Sequence, residues 1–443
     1  MTASTSTSAA SSTNRDEAVP DADIVVIGAG VVGVACALEL SRRGRKVLVI
    51  DRESPGMGAS FGNAGHMATE QVFPVADASL LWRIPGMLMD STGPLRLDWR
   101  YLPKAAPWFM RLMWNMRAEP ARRATAGLRT LNEASLAAWQ SLLNDIGQAR
   151  LLKTDGSLLV HEKPDTAEEL EGVAKRMQAQ GVPVERFPRD KVLATAPELT
   201  EAIQGALFFP DTAHVTNPYR LVEALARAAE QHGARFVQGD VKTGRVRDDG
   251  VHLETSTGSV TASRVLVACG AHSAPLVAAL SGLRVPLDTE RGYHLMLPRE
   301  PHRLPMAVTS LERRFIMTPM EKGLRLAGTV EFAGLKRAPN MERAWQLERL
   351  AQGMFRRPLD SKGATPWMGF RPSLPDSLPV IDQVGPGKRL WLAFGHHHLG
   401  LTQAAVTARL VGSFLNEGST ANSSKPTARA LPSLEPYRLL RFA

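Results

Sequence analysis

Residues 22–53, ADIVVIGAGVVGVACALELSRRGRKVLVIDRE, hold the feature that most limits how this chain can fold. DIVVIG (23–28) is a continuous apolar, β-branched run, the pattern of a strand buried on both faces of a parallel sheet. Gly28, Gly30 and Gly33 follow at GxGxxG spacing, residues 31–43 are helical in composition, and Gly44 stands where a helix ends. KVLVID (46–51) is a second buried strand. In such a unit the first glycine permits the tight turn and the second lets a pyrophosphate approach the backbone. The third lets helix pack on strand, while the helix N-terminus meets negative charge. Asp51 ends the second strand, where a carboxylate accepts both ribose hydroxyls and disfavours a 2′-phosphate. The unit predicts a dinucleotide site built on Gly28, Gly30, Val31, Val32, Gly33, Asp51 and Arg52.

FAD and NAD share this fingerprint. GASFGNAG (58–65) separates them, because a second backbone-rich loop soon after the ribose acid suits a cofactor extended over the sheet, its flavin reaching past residues 59–65. At 443 residues the chain is too long for one ordinary core. Three nucleotide-related pieces, 22–67, 217–273 and 365–416, are separated by two pieces rich in strands and tryptophan. The simplest arrangement is a cofactor domain (21–73, 205–284 and 365–418) carrying a substrate domain made of two insertions (74–204 and 285–364). A disordered leader (1–20) and a tail (419–443) flank them, and residues 365–380 read as a loop.

The net charge of +9 is spread without any Lys/Arg block, which points to a basic enzyme and away from nucleic acid. The two cysteines, Cys36 and Cys269, read as core residues, with no disulfide framework and no metal set. Residues 1–20 lack the apolar core of a signal peptide, and no run reads as a membrane span; a cytoplasmic setting is expected.

Six pieces then occur in order: GAGVVG, GASFGNAGH, VTNPYRLVEALA, LVACGAHS, WMGFRPSLPDSLPVI and GHHHLGLTQA, with PYRLLRF (436–442) near the end. On these the chain resembles the D-amino-acid oxidase-like family of FAD-dependent oxidoreductases from about Ala22 onward, with bacterial D-amino acid and D-hydroxyproline dehydrogenases the nearest likeness. The resemblance implies an α/β, Rossmann-like FAD domain of the glutathione-reductase type with an inserted antiparallel-sheet substrate domain. It implies that Ser60, Asn63, Ala64 and Gly65 pass the pyrophosphate and flavin, that Val241 touches the adenine, and that Ala268 and Gly270 lie against the diphosphate and ribitol. Gly395, His398, Gly400, Leu401 and Thr402 complete the flavin site, where a helix N-terminus stabilises a reduced flavin's charge. Covalent attachment in such proteins uses a cysteine near GFRP; residues 365–385 contain none, so noncovalent FAD is expected.

Arg371, in GFRP, matches the arginine that holds the substrate carboxylate, a task suited to a bidentate guanidinium. With the carboxylate anchored, hydride passes from Cα to flavin N5, needing only a neutral amine and alignment, and the imino acid hydrolyses. Tyr293, His294 and His66 are further candidates to contact substrate, and His397 or His398 to face the flavin. Adjacent histidines alternate in direction, so His396–His398 do not converge on a metal. The resemblance implies oxidation of a D-amino acid or cyclic D-imino acid, D-proline or hydroxy-D-proline in type, with electrons passed to quinone or another acceptor. Residues 80–116, rich in Trp, Met and Leu, suit peripheral contact with the inner face of the membrane. A glycine- or sarcosine-type amine oxidase using O2, and an FAD subunit of a larger electron-transfer complex, are the alternatives.

Overall fold

The computed structural model describes residues 22–75, 95–416 and 431–442; the leader, residues 80–94 and the spacer at 417–429 lie outside them. Strands Arg235–Gln238, Val47–Asp51, Ala22–Ile27, Gly258–Val267 and Leu390–Phe394 lie side by side in that order, all parallel, and Val380–Val384 adds an antiparallel strand. These strands are apolar throughout because both faces are covered. Ile24, Val26, Val47, Val49 and Leu266 pack under helices Val31–Arg42, Pro218–Gln231 and Gly400–Ser413. Val25, Ile27, Leu48, Ile50 and Val265 meet helix Ser273–Ser281 and an antiparallel meander of Val241–Val246, Val251–Thr255 and Gly258–Val267. Parallel strands end on the same side. The turn at Gly28, Asp51, Gly239, Ala268 and Gly395 therefore share one edge of the sheet, the edge where open α/β sheets bind ligands.

A second sheet runs in the order Thr365–Ser373, Asp288–Leu297, Gly323–Phe332, Phe315–Met320, Ala307–Ser310, Ser157–His161, Gly205–Phe209, Glu185–Pro188, with Leu95–Leu97 beside Gly323–Phe332. It is mainly antiparallel, but two junctions are parallel: Ala307–Ser310 with Ser157–His161, and Gly323–Phe332 with Leu95–Leu97. Each joins strands from different insertions, so no hairpin imposes a direction.

Sheet membership departs from the sequence-drawn boundaries. Residues 365–373, expected to be loop, form an edge strand that tolerates Pro366 and Pro372 because its outer side has no neighbour to bond. That strand and Gly205–Phe209, both assigned to the cofactor domain, pair within the second sheet. Helix Ala118–Asp145, assigned to the substrate domain, packs into the cofactor core through Leu128, Leu131, Trp139 and Leu143. The Trp139 indole donates to the Leu401 and Thr402 carbonyls at 2.9 and 3.0 Å. The chain end folds back: Tyr437 is fully buried and donates to Gly127 O at 2.8 Å, and Arg441 pairs with Asp376 at 2.6 Å. Both cysteines are free, Cys36 buried and Cys269 half-buried. Among the described residues no helix is long and apolar enough to cross a membrane.

Candidate active site

A cavity of about 700 Å³ runs along the C-terminal edge of the parallel sheet and is closed by the second sheet. Its dinucleotide half is built from the glycine turn. Gly28 has φ +109°, and a Cβ there would lie 2.4 Å from Ala268 O; a Cβ on Gly33 would lie 1.9 Å from Gly28 O. Protein packing requires both glycines. A Cβ on Gly30 meets only Ser60 Oγ at 3.5 Å, so this glycine keeps the cavity side open. Helices Val31–Arg42 and Gly400–Ser413 carry no acid in their first turns, and Val31, Val32, Gly400 and Leu401 line the cavity. Two uncompensated helix N-termini therefore face one space, which suits an anionic ligand. Asp51 accepts from Ala29 N at 2.6 Å and Glu53 N at 3.0 Å, and Ser60 Oγ accepts from Val31 N at 2.9 Å. Arg52, Val241, Ala268, Gly270 and Gly395 complete this wall. Val241 opens a meander strand instead of ending Arg235–Gln238, because that strand stops before Gly239.

The loop at 58–65 is held from the second sheet. Arg325 donates to Asn63 O, and the His294 Nδ1–H donates to Gly62 O at 2.8 Å. The His294 ring stacks on Trp367 with centroids 5.0 Å apart. Burial, then the charge of Arg325, pulls His294 down to about 3, so the ring is neutral with its proton on Nδ1. Ser60, Asn63 and Ala64 line the cavity, but Gly65 and Thr402 stand behind it. The Gly65 carbonyl accepts from Val215 N at 2.7 Å, and Thr402 Oγ1 from Ala68 N at 3.1 Å.

The half of the cavity lined by the second sheet follows from strand alternation. Asp288–Leu297 and Thr365–Ser373 pair with Glu290 opposite Arg371, Gly292 opposite Gly369, and His294 opposite Trp367. All six share one face, every second residue pointing the same way. The facing glycines form a notch, with large side chains leaning in from both ends. A Cβ on Gly292 would lie 2.4 Å from Arg371 Nη2, and one on Gly369 would lie 2.1 Å from Trp367 Cη2. Arg371 donates to Thr329 O at 3.2 Å and stays partly accessible from the cavity.

Behind it Glu290, 2% exposed, accepts from Ser373 Oγ at 2.8 Å. Burial works against the carboxylate, yet His397, Arg371 and Ser373 outweigh it and hold Glu290 down at about 2. Tyr293 lies between two notch residues and so points to the opposite face. Its hydroxyl donates to Glu331 at 2.6 Å and accepts from Asn340 N at 3.2 Å, while the residue still borders the cavity.

The histidines have separate partners. His66 bonds Glu70 at 2.9 Å; His396 bonds Thr407 Oγ1 at 3.0 Å; His398 bonds Gln71. His397, at φ +52°, lines the cavity and directs its ring nitrogens toward Leu374 and Glu290. Among the described residues no three His, Cys, Asp or Glu side chains are grouped to hold a metal. Glu290, Gly292, Trp367, Gly369 and Arg325 escaped the sequence reading. Alternation along TERGYH would have paired Glu290 with Gly292 and His294, but only once 365–373 was known to be its partner strand.

Residues 23–413 match the model of the FAD dependent oxidoreductase family. The chain belongs to this family. Within it, the chain is 33% identical over 401 residues to a D-amino-acid oxidase from Bradyrhizobium diazoefficiens, covering 89% of this chain and 94% of the relative. It is 32% identical to a D-amino acid dehydrogenase from Paramagnetospirillum magneticum, covering 90% and 96%. The glycine oxidase structure from Geobacillus kaustophilus superposes with a TM-score of 0.71 at 22% identity, covering 95% of this chain and 99% of that one. L-proline dehydrogenase from P. horikoshii gives 0.69 at 18%, covering 96% and 98%; both likenesses concern the fold. The cavity of this family member fits FAD: Gly30 is open on the cavity side, and two helices with no acid in their first turns start at its wall.

Proposed function

We propose that this FAD-dependent oxidoreductase oxidises a D-amino acid, or a cyclic D-imino acid of the proline or hydroxyproline type, to the imino acid, which then hydrolyses. Electrons leave to a quinone or another acceptor. The observation that carries the reading is Arg371 leaning over the glycine notch, in the same cavity as the dinucleotide turn. The names of the two relatives support the same substrate class. Bound FAD supplies the hydride acceptor.

Arg371 takes the substrate carboxylate through parallel N–H donors, fixing the α-carbon's orientation as well as its place. The Trp367 face and the glycine floor take an apolar side chain or saturated ring. His66, lining the cavity with Nδ1 unpartnered, is available to the substrate amine. FAD is held without a covalent bond, since 365–385 has no cysteine. Exposed Trp99, Met110, Met113 and Trp114, next to and on helix Leu102–Asn115, support peripheral membrane contact.

Anaerobic mixing of the flavin-loaded protein with D-proline, cis-4-hydroxy-D-proline and D-alanine, beside their L-forms, glycine and sarcosine, tests this. D-isomers are expected to bleach the flavin absorbance while L-isomers leave it unchanged. Bleaching by glycine or sarcosine alone, or by L-isomers, would sink the proposal.

A further inference from the structure

The arginine that faces the cavity has a second carboxylate behind it, and the two face a histidine whose surroundings accept either protonation state. Glu290 is the cross-strand partner of Arg371 and sits beneath it, bonded to Ser373. His397 Nδ1 lies 3.7 Å from Glu290 Oε1 and has no hydrogen-bond partner. Its other nitrogen, Nε2, lies 2.9 Å from Leu374 N and 2.9 Å from Leu374 O. A bare Nε2 accepts from the first, and a protonated one donates to the second. Ring and carboxylate are both closed from water, with His397 5% and Glu290 2% exposed.

The remaining charged or titratable groups around the pair are accounted for. Asp288, on the same strand, is bonded to the Tyr101 hydroxyl at 2.7 Å, and Lys104 acts on Asp288. Arg291 points to the opposite face, where backbone carbonyls hold it. His396 and His398 are kept neutral by burial.

With no carboxylate on Arg371 and the His397 ring carrying a single proton, the charges of Arg371 and Glu290 cancel. A substrate carboxylate on Arg371 would leave one net negative charge in a buried cluster, which is costly. We propose that His397 takes up one proton from solvent when a carboxylate docks on Arg371, moving toward Glu290 as an imidazolium and keeping the cluster neutral. His397 and Glu290 are thus positioning residues that make carboxylate binding proton-linked. The inference rests on Arg371 being the carboxylate anchor.

Calorimetric titration of the flavin-loaded protein with propionate, a carboxylate without an amine, in two buffers of different protonation enthalpy at pH 8 counts the protons. Uptake close to one per propionate is expected, with Kd rising about tenfold per pH unit there. In Glu290→Gln and in His397→Gln the uptake should vanish and Kd become flat with pH, flavin spectrum and melting temperature serving as folding controls. If either variant loses its flavin, the wild-type count and the other variant decide. Propionate binding that needs Arg371 but takes up no proton overturns this inference alone, as does uptake persisting in both variants. Binding unchanged in Arg371→Met, or none at all, overturns the anchor itself and the inference with it.

Discussion

On the proposed function, substrate recognition turns on Arg371, and its neighbours set what a lysine there would lose. The guanidinium spans the notch between Thr329 O and Gly292, so its planar fork presents several donors at once. Each charge-assisted hydrogen bond is worth about 1.5–3 kcal/mol. Arg371→Lys should therefore lower kcat/KM for the D-substrate roughly 10- to 100-fold, with the flavin spectrum unchanged; steady-state kinetics against the spectrum of the resting protein checks both. Gly369→Ala tests the notch. Its Cβ would overlap Trp367, so KM should rise by about an order of magnitude; because Trp367 also stacks on His294, which holds the 58–65 loop, the flavin spectrum is read beside it to separate the two effects. Arg371 was legible from its motif. Glu290 was not, since a carboxylate in TERGYH looks like any exposed acid until its partner strand is known.

Among the elements, helix Ala118–Asp145 and strand Thr365–Ser373 carry the departures from the sequence reading. The helix lies far in sequence from the cofactor domain, but its apolar stripe is complementary to helix Gly400–Ser413, and Trp139 is buried completely between them. Trp139→Ala should cost about 3–5 kcal/mol, read from denaturant unfolding. It should also weaken FAD retention, because Trp139 bonds the carbonyls of Leu401 and Thr402 at the helix end that faces the cavity. An unfolding loss with FAD affinity untouched would mean that this helix end does not serve the cofactor. Strand Thr365–Ser373 was hidden by Pro366, Gly369 and Pro372, which argue against a central strand but are admissible at an edge.

For the whole molecule, three buried histidines and the half-buried His398 set the acid limit. Burial, the largest cause in each, lowers His214 to about 4 and His294, His396 and His398 to about 3, against 6.5 for a free ring. Between those values the unfolded chain binds more protons than the native one. Stability is therefore complete above pH 6.5 and falls as pH drops below it, by up to about 1.4 kcal/mol per unit for each ring. Glu290, held at about 2, adds a further loss below about pH 4.5. The melting temperature of the flavin-loaded protein should fall steeply from pH 6.5 to 5.0, and less steeply in His396→Gln; a flat profile would contradict the neutral assignment. The glycine turn, its flanking strands and helix and the acid after them were legible from sequence alone, because glycine spacing, strand runs and helix starts are local and reflect short-range sterics; the 58–65 loop was a candidate from its composition, and Arg371 from its motif. Which acid stands behind that arginine, which way Tyr293 and His397 point, and which helix closes the cofactor core were decided only by tertiary structure. Strand pairing and helix docking join residues dozens to hundreds of positions apart, and local propensity carries no record of the partner.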